Sequence, residues 1–379
     1  MRICMVASVP FPPTEGIGHY VWNLSRFLIS QEHEVQIITR GEWGKPVHEE
    51  LDGIQVWRPF FAPAYPFHVH LHGVFVQKLI RRLEGQVDVF HLHTPLPPPV
   101  DTVRPMLLTV HSMVRADSTS RKVNSVFDLL NRLQTPISAQ VEVRLVNSSD
   151  SVVAVSKPAG SDAAKVLSRG GEVEVVWNGV DTSFFYPGKQ KEADRNSLLY
   201  VGRLAPGKGL DDLLMAFGQI TEQHPLAVLS IAGDGPLLGG TRQSVRRLGL
   251  DKRVRFLGHV TSRTALRALY RRAWLVVLPS HHESMPTVVL EAIACGIPVL
   301  ATSVGSVSEV ISDGESGLLV PPRDSVRLGL AMEQVLGDSD FREQLSRAGP
   351  FKVRERFSWE VVGRSYLRCY EGLTARGER

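Results

Sequence analysis

Short apolar runs separated by amphipathic stretches recur along the whole chain. In the first half the runs at 2–8, 34–40, 54–57, 87–91, 106–110, 151–155 and 173–176 read as buried strands, and intervening segments such as 20–29 and 74–83 carry apolar residues at helical spacing. This alternation predicts a parallel sheet with helices on both faces. A polar stretch at 187–197 interrupts the pattern and is the expected linker. The alternation then restarts at 198–201 and continues through 227–231, 254–257, 274–278, 298–301 and 317–320, predicting a second doubly wound domain over 198–356. The first domain is expected over 1–186. The segment 357–379 places Trp359, Val362, Tyr366 and Tyr370 on one helical stripe. Two such domains leave a central cleft, where ligands commonly bind.

The composition is that of an ordinary globular protein: 379 residues, 43% hydrophobic and 22% charged, which suffices for two domains. Cys4, Cys295 and Cys369 have no metal or redox spacing, which favours a reducing, cytoplasmic setting. The apolar start is too short for a signal peptide, and no apolar run reaches membrane-spanning length. A formal charge of +4 suits anionic substrates or an anionic membrane face equally and decides nothing alone. Nucleic-acid binding is not expected, because the bases are not interleaved with stacking aromatics in a known module.

The most informative feature is Glu283 and Glu291, in the run Pro279-Ser280-His281-His282-Glu283-Ser284-Met285-Pro286-Thr287-Val288-Val289-Leu290-Glu291-Ala292. Proline can open a helix but not continue one, so Pro286 predicts a helix start, with Glu283 in the loop before it and Glu291 about two turns inside. Backbone N–H groups at that helix end suit an anionic ligand, and two carboxylates suit its hydroxyls. A sugar diphosphate fits both. Alone, two glutamates at this spacing are more often a solvated helix face. The flanking apolar runs at 274–278 and 297–301 change this, since open α/β sheets bind ligands beyond the carboxyl ends of their strands.

This block resembles the retaining glycosyltransferases of family 4 (glycosyl transferases group 1), which have the two-domain α/β fold called GT-B. The resemblance continues in order along nearly the whole chain: Gly16-Ile17-Gly18, Thr109-Val110-His111-Ser112, Val176-Trp177-Asn178-Gly179-Val180-Asp181, Val201-Gly202-Arg203 with Lys208-Gly209, Ala232-Gly233-Asp234-Gly235-Pro236, Phe256-Leu257-Gly258, and Phe357-Ser358-Trp359. It implies transfer of a hexosyl group from a nucleotide diphosphate sugar, UDP preferred over GDP, to an acceptor hydroxyl with the anomeric configuration kept. It implies that Arg203 and Lys208 contact the diphosphate, that His111 bonds the donor sugar near the reacting centre, and that Glu283 holds sugar hydroxyls and Glu291 the ribose. Gly16, Gly18, Gly233, the backbone around Val260, and Ser284, Met285 and Thr287 complete the implied donor contacts. The last helix would cross back to the first domain, and no metal or other cofactor is expected. The chain departs from the family's pattern at Glu15-Gly16, where two glycines are usual, and at Pro286, where glycine-rich loops are more frequent. Glu15 is expected to face solvent.

Competing readings are a glycoside hydrolase using the Glu283/Glu291 pair and a nucleotide-sugar epimerase. Arg203, Lys208 and the glycine-bearing helix ends argue against the hydrolase. The alternation His68-Val69-His70-Leu71-His72 would put three imidazoles on one face if it were a strand, imitating a zinc site. Asp338-Ser339-Asp340 reads as a helix N-cap rather than a metal-binding triplet. Finally, the aromatic run 60–67 followed by Lys78, Arg81 and Arg82, and the mixed basic and apolar run 113–132, suggest an acceptor that is lipid-linked or a growing glycan, reached at an anionic, cytoplasmic membrane face.

Overall fold

The computed structural model describes residues 1–13, 16–41, 46–62, 68–95, 100–113, 126–188 and 193–377, with side chains for all of these except 126–134 and 376–377. Glu15, residues 63–67 of the aromatic run and nearly all of the 113–132 run therefore lie outside the described residues or side chains. The chain forms two compact units, Met1–Asn178 together with Trp359–Arg379, and Gly179–Ser358.

The first unit is built on an eight-stranded sheet of β1 (Arg2–Ala7), β2 (Glu34–Thr39), β3 (Val47–Leu51), β4 (Ile54–Arg58), β5 (Val89–His93), β6 (Met106–Val110), β7 (Ser151–Ala154) and β8 (Glu174–Val175). Its order is β3-β4-β2-β1-β5-β6-β7-β8, parallel except for the antiparallel β3–β4 edge. That hairpin was not expected. Val47-His48-Glu49-Glu50-Leu51 is largely exposed and too polar to show as an apolar run. Its helices are α1 (Gly16–Ser30), α2 (His68–Leu83), α3 (Val126–Ser148) and α4 (Lys157–Ala164).

The second unit has a six-stranded, wholly parallel sheet of β9 (Ser197–Val201), β10 (Val228–Ala232), β11 (Val254–Gly258), β12 (Leu275–Leu278), β13 (Val299–Thr302) and β14 (Leu318–Val320). Its order is β11-β10-β9-β12-β13-β14. The connecting helices are α5 (Leu210–Ile220), α6 (Leu238–Arg247), α7 (Arg263–Arg272), α8 (Thr287–Ala294), α9 (Val307–Val310), α10 (Ser325–Gly337) and α11 (Ser339–Phe357). Helix α12 (Trp359–Gly377) belongs to the first unit. In both sheets the winding starts at an inner strand, runs one way, then returns to the other side of it. The switch points lie between β1 and β5 and between β9 and β12, and such points open a crevice at the carboxyl ends of the strands.

Strands covered on both sides need apolar residues at nearly every position. β12 (Leu275-Val276-Val277-Leu278) is buried throughout, with Leu198, Leu229 and Ile231 beside it in the core. Each fully buried side chain of this size contributes roughly 1.5–3 kcal/mol. In the first unit, Tyr366 and Tyr370 of α12 are fully buried; the Tyr20 hydroxyl donates to Tyr366 Oη at 2.7 Å, and Tyr366 Oη lies 3.0 Å from Thr109 Oγ1.

The structure closes one alternative and divides its units at a different residue. The 68–72 segment opens α2 instead of forming a strand, because Val69, His72, Val76, Ile80 and Leu83 make one helical stripe of buried positions. His68 and His72 turn inward while His70 is exposed, so the three imidazoles share no face. The division between units falls at Gly179 instead of after 186. Asp181 pairs with Arg263 at 3.0 Å, the guanidinium carbons of Arg263 and Arg267 lie 4.4 and 4.3 Å from the Phe184 ring centre, and Arg271 donates to the Tyr186 carbonyl. These contacts fasten 181–186 to α7. Asp338 does cap α11, its carboxylate accepting from the Asp340 and Phe341 N–H groups.

Candidate active site

The switch point of the second unit gathers the loops after β9, β12 and β13. The loop after β9 carries Arg203 and Lys208 and ends at Gly209, which caps α5 with φ +66°; a Cβ there would come within 1.9 Å of the Pro279 carbonyl oxygen. Only glycine permits this approach. It brings the 203–209 loop onto the segment following β12, and the His281 N–H donates to the Gly207 carbonyl at 2.8 Å. From the other side Gly305, at φ +55°, would place a Cβ 1.6 Å from the Glu283 carbonyl oxygen. Thr302 Oγ1 donates to the Ser280 carbonyl and Ser306 Oγ to that of Ser284. The 279–285 segment is thus held from both flanks.

Glu283 lies at the centre. Lys208 Nζ is 2.6 Å from its Oε1, and Ser280 Oγ donates to the same oxygen at 2.7 Å. The Glu283 side chain is only 10% exposed and that of Lys208 30%, so the carboxylate is largely desolvated and depends on the ammonium. Arg203 is exposed on the same loop and has no ion-pair partner among the described residues. His281 Nε2 meets Asp212 Oδ2 at 2.6 Å, tying the segment to the first turn of α5.

Pro286 stands at the N-cap of α8 with φ −75°, as its fixed ring predicts, and Thr287 is the first helical residue. Glu291 is the fifth, little more than one turn in rather than two. Its carboxyl group sits deep among protein atoms; desolvation pushes its pKa up to about 7, against the hydrogen bond from Tyr270 and the charge of Arg263. Tyr270 Oη donates to Glu291 Oε2 at 2.8 Å. Met285 is buried, with its sulfur 3.2 Å from Ser306 Oγ. Gly233 follows β10 and its N–H donates to the Gly258 carbonyl at 2.8 Å; Val260 follows β11 at the same sheet edge and is half-buried.

Gly16, Gly18 and His111 belong to the first unit. The two glycines open α1, and His111 follows β6. The Tyr20 ring, one turn into α1, meets the His111 ring edge-on at 4.7 Å. His111 is buried, which pulls its pKa down to about 3, and its Nε2 lies 3.3 Å from His93 Nδ1. A neutral imidazole at this position can offer one donor and one acceptor but no charge. The sequence pattern did not single out Tyr270, Asp212 or Arg263. Ser280 and His281 were visible only as neighbours of Glu283, and Tyr20 only as part of a helix.

Two α/β units, each wound about a mainly parallel sheet, with a lysine and a carboxylate paired at a switch point of the second, form a crevice of the kind in which such sheets bind ligands. The family model for glycosyl transferases group 1 matches residues 183–350, and that for glycosyltransferase family 4 matches 14–184. The chain is 30% identical to a glycogen synthase of Mycobacterium tuberculosis over 100% of its own length and 96% of that protein. It is 31% identical to a D-inositol 3-phosphate glycosyltransferase of a Nocardioides species, covering 95% of this chain and 86% of the relative. Among solved structures, sucrose-phosphate synthase from Thermosynechococcus elongatus superposes with a TM-score of 0.83 at 23% identity, covering 99% of each chain. Anabaena HepE, in complex with UDP and glucose, gives 0.75 at 18% identity, covering 98% of this chain and all of that one. The chain belongs to glycosyltransferase family 4, group 1, and its fold is GT-B. It is a transferase enzyme.

Proposed function

We propose that this transferase takes a hexosyl group from a UDP-sugar and passes it, with retention, to a hydroxyl of a lipid-linked acceptor at a cytoplasmic membrane face. The observation that carries the donor half is the 2.6 Å Lys208–Glu283 pair beside exposed Arg203 at the β9–β12 switch point. UDP is favoured because solved relatives of the same fold are complexes with UDP or UDP-glucose. On donor entry the diphosphate takes over Lys208 and meets Arg203, while Glu283, released from Lys208, accepts from sugar hydroxyls. Glu291 accepts from the ribose hydroxyls and Tyr270 keeps it oriented. Gly16 and Gly18 at the start of α1, Gly233, Val260 and the 284–287 backbone supply the remaining donor contacts, and His111 bonds the sugar.

In the reaction the bond between the anomeric carbon and the diphosphate oxygen breaks. The acceptor oxygen forms its new bond on the same face, and its proton passes to the departing phosphate oxygen. Positive charge from Arg203 and Lys208 stabilises that oxygen as it gains charge, without a metal. The raised Glu291 carboxyl also suits the general acid of a glycoside hydrolase. Release of free sugar from simple glycosides, without nucleotide, would select that reading. The test of the transferase reading is ligand-observed NMR against a panel of nucleotide sugars, repeated on Lys208→Ala, followed by acceptor screening with the selected donor. Saturation transfer to a UDP-sugar that disappears in the variant supports the proposal, and equal transfer in both proteins refutes the assignment of Lys208.

A further inference from the structure

A groove of about 640 Å³ lies in the first unit between the β3–β4 hairpin and α2. Pockets of roughly 300–1,000 Å³ hold small ligands. Carbon dominates its lining. Trp57 and Leu79 line it, the Phe60 and Phe75 rings stand 5.0 Å apart, and Pro46 and Val47 contribute from the hairpin. Its polar groups are nearly all spent. His48 stacks on Trp57 at 3.5 Å and meets Gln55 Oε1 at 2.8 Å. Arg58 donates to the Phe11 carbonyl at 2.9 Å and to Glu49 at 2.5 Å.

A sugar or a nucleotide base needs convergent hydrogen-bonding groups, and the Trp57 ring already carries His48, so neither suits this groove. Two cations remain. Lys78 and Arg82, one turn apart on α2, are exposed, and neither has an ion-pair partner among the described residues. Toward the start of the same helix Leu71 and Val74 are 42% and 53% exposed, and the spacing 71, 74, 78, 82 keeps all four on one side. Exposed apolar residues bordered by cations are the pattern of a helix lying in a membrane interface.

We propose that this groove takes an acyl chain of an anionic membrane lipid, with the lipid phosphate on Lys78 and Arg82. The proposal rests on the lipid-acceptor reading for its purpose, but the binding does not depend on that reading. One molecule then satisfies both halves of the groove, and the first unit is held where a lipid-linked hydroxyl can be presented.

The full chain is mixed with vesicles of phosphatidylcholine, with and without phosphatidylglycerol, and pelleted. Binding is expected only with phosphatidylglycerol and should fall as salt is raised. The double variant Lys78→Ala with Arg82→Ala should bind about 30-fold more weakly, from the contribution of each surface cation at an anionic interface. Phosphatidylglycerol brominated along its acyl chains should quench tryptophan fluorescence, and Trp57→Phe should remove most of that quenching. Phe75→Ala should weaken binding while leaving the melting curve by circular dichroism in place.

Absence of binding at low salt overturns the proposal. So does binding that Phe75→Ala leaves unchanged and that leaves quenching intact in Trp57→Phe, for the charges would then act without the groove. Transfer of labelled sugar separates the two readings. If vesicles bind through the groove while label reaches only soluble acceptors, the groove stands and the lipid acceptor fails. If label enters lipid and the groove variants transfer normally, the groove fails and the acceptor stands.

Discussion

Replacing Glu291 by glutamine isolates the role of a carboxyl group that burial holds at about pH 7, against an ordinary 4.5. A nucleotide sugar's diphosphate has no group that titrates between pH 5 and 8. If the ribose hydroxyls donate to ionised Glu291, donor binding must first remove its proton, and at pH 5 only about one site in a hundred is ionised. Donor affinity should therefore fall about 100-fold from pH 8 to pH 5, or about 2.7 kcal/mol at 1.36 per pH unit. Calorimetric titration of the selected nucleotide sugar at four pH values reads this directly, and near pH 7 it should show about half a proton released per donor bound. Stability moves in the opposite sense. The folded protein favours protonated Glu291, so the cost of burying its charge is absent below 4.5, grows from 4.5 to 7 and is complete above 7. Discounted for the partial exposure of the residue, that cost is about 1–3 kcal/mol. Glu291→Gln, which can still accept from Tyr270, should match the wild type in urea melts at low pH and exceed it by that amount at pH 8. Its donor affinity should be flat with pH. A wild-type affinity that does not change between pH 5 and 8, or a glutamine variant that keeps the slope, would refute the reasoning.

Lys208→Ala leaves the nearly buried Glu283 with the Ser280 hydroxyl as its remaining hydrogen-bond donor. Melts should show a loss of about 1–3 kcal/mol, recovered by adding Glu283→Gln, while turnover stays depressed by the equivalent of roughly 2–4 kcal/mol; recovered turnover in the double variant would remove Lys208 from the diphosphate. Gly305→Ala forces the Glu283 backbone aside and adds strain at positive φ, so donor binding should weaken together with stability; donor titration and urea melts that match the wild type would disprove this packing argument. Transfer activity is expected to persist after exhaustive dialysis against a chelator, and recovery only on adding manganese or magnesium would show that a metal takes part. Tyr366→Phe strands the Tyr20 hydroxyl, while Thr109 Oγ1 keeps His91 Nε2 at 2.6 Å, and should cost about 1–3 kcal/mol, read by denaturant titration of the full chain.

Most of the sheet architecture was legible because strands buried on both faces must be continuous apolar runs, as at 275–278 and 299–302. The edge hairpin was not, since β3 faces solvent and its Glu49 and Glu50 break the pattern. The 68–72 segment left strand and helix open, because five alternating residues fit a short strand while His68, Val69 and His72 also fit the inner stripe of a helix, and only the continuation to Val76 and Ile80 separates them. Within the site, Glu283 stood out in the loop after a predicted strand and Glu291 in the helix that follows, while Arg203 and Lys208 stood out through the resemblance, in the glycine-bearing loop after another strand. Their partners did not. Lys208 and Glu283 are 75 positions apart, and nothing local says that β9 and β12 are neighbours. The raised pKa of Glu291 likewise comes from burial that only the packed helix creates.

The second unit begins and ends side by side: Val180 bridges to Ser358, and the Val180 N–H donates to the Phe357 carbonyl at 2.7 Å. The first sheet therefore waits for its closing helix. Tyr366 and Tyr370 reach the ribosome exit only after the whole 179–358 stretch has been made, which takes on the order of ten seconds or more at cellular rates. During that interval His91 lacks the Tyr370 hydroxyl that meets it at 2.7 Å in the finished protein, and Tyr20 lacks Tyr366. The insert can complete its own core first, reversing the usual rule that the amino-terminal domain folds ahead of the rest. A nascent chain ending at Ser358 and carried on an arrest linker long enough to clear the exit tunnel should accordingly carry a protease-resistant second unit and a first unit that is still cut.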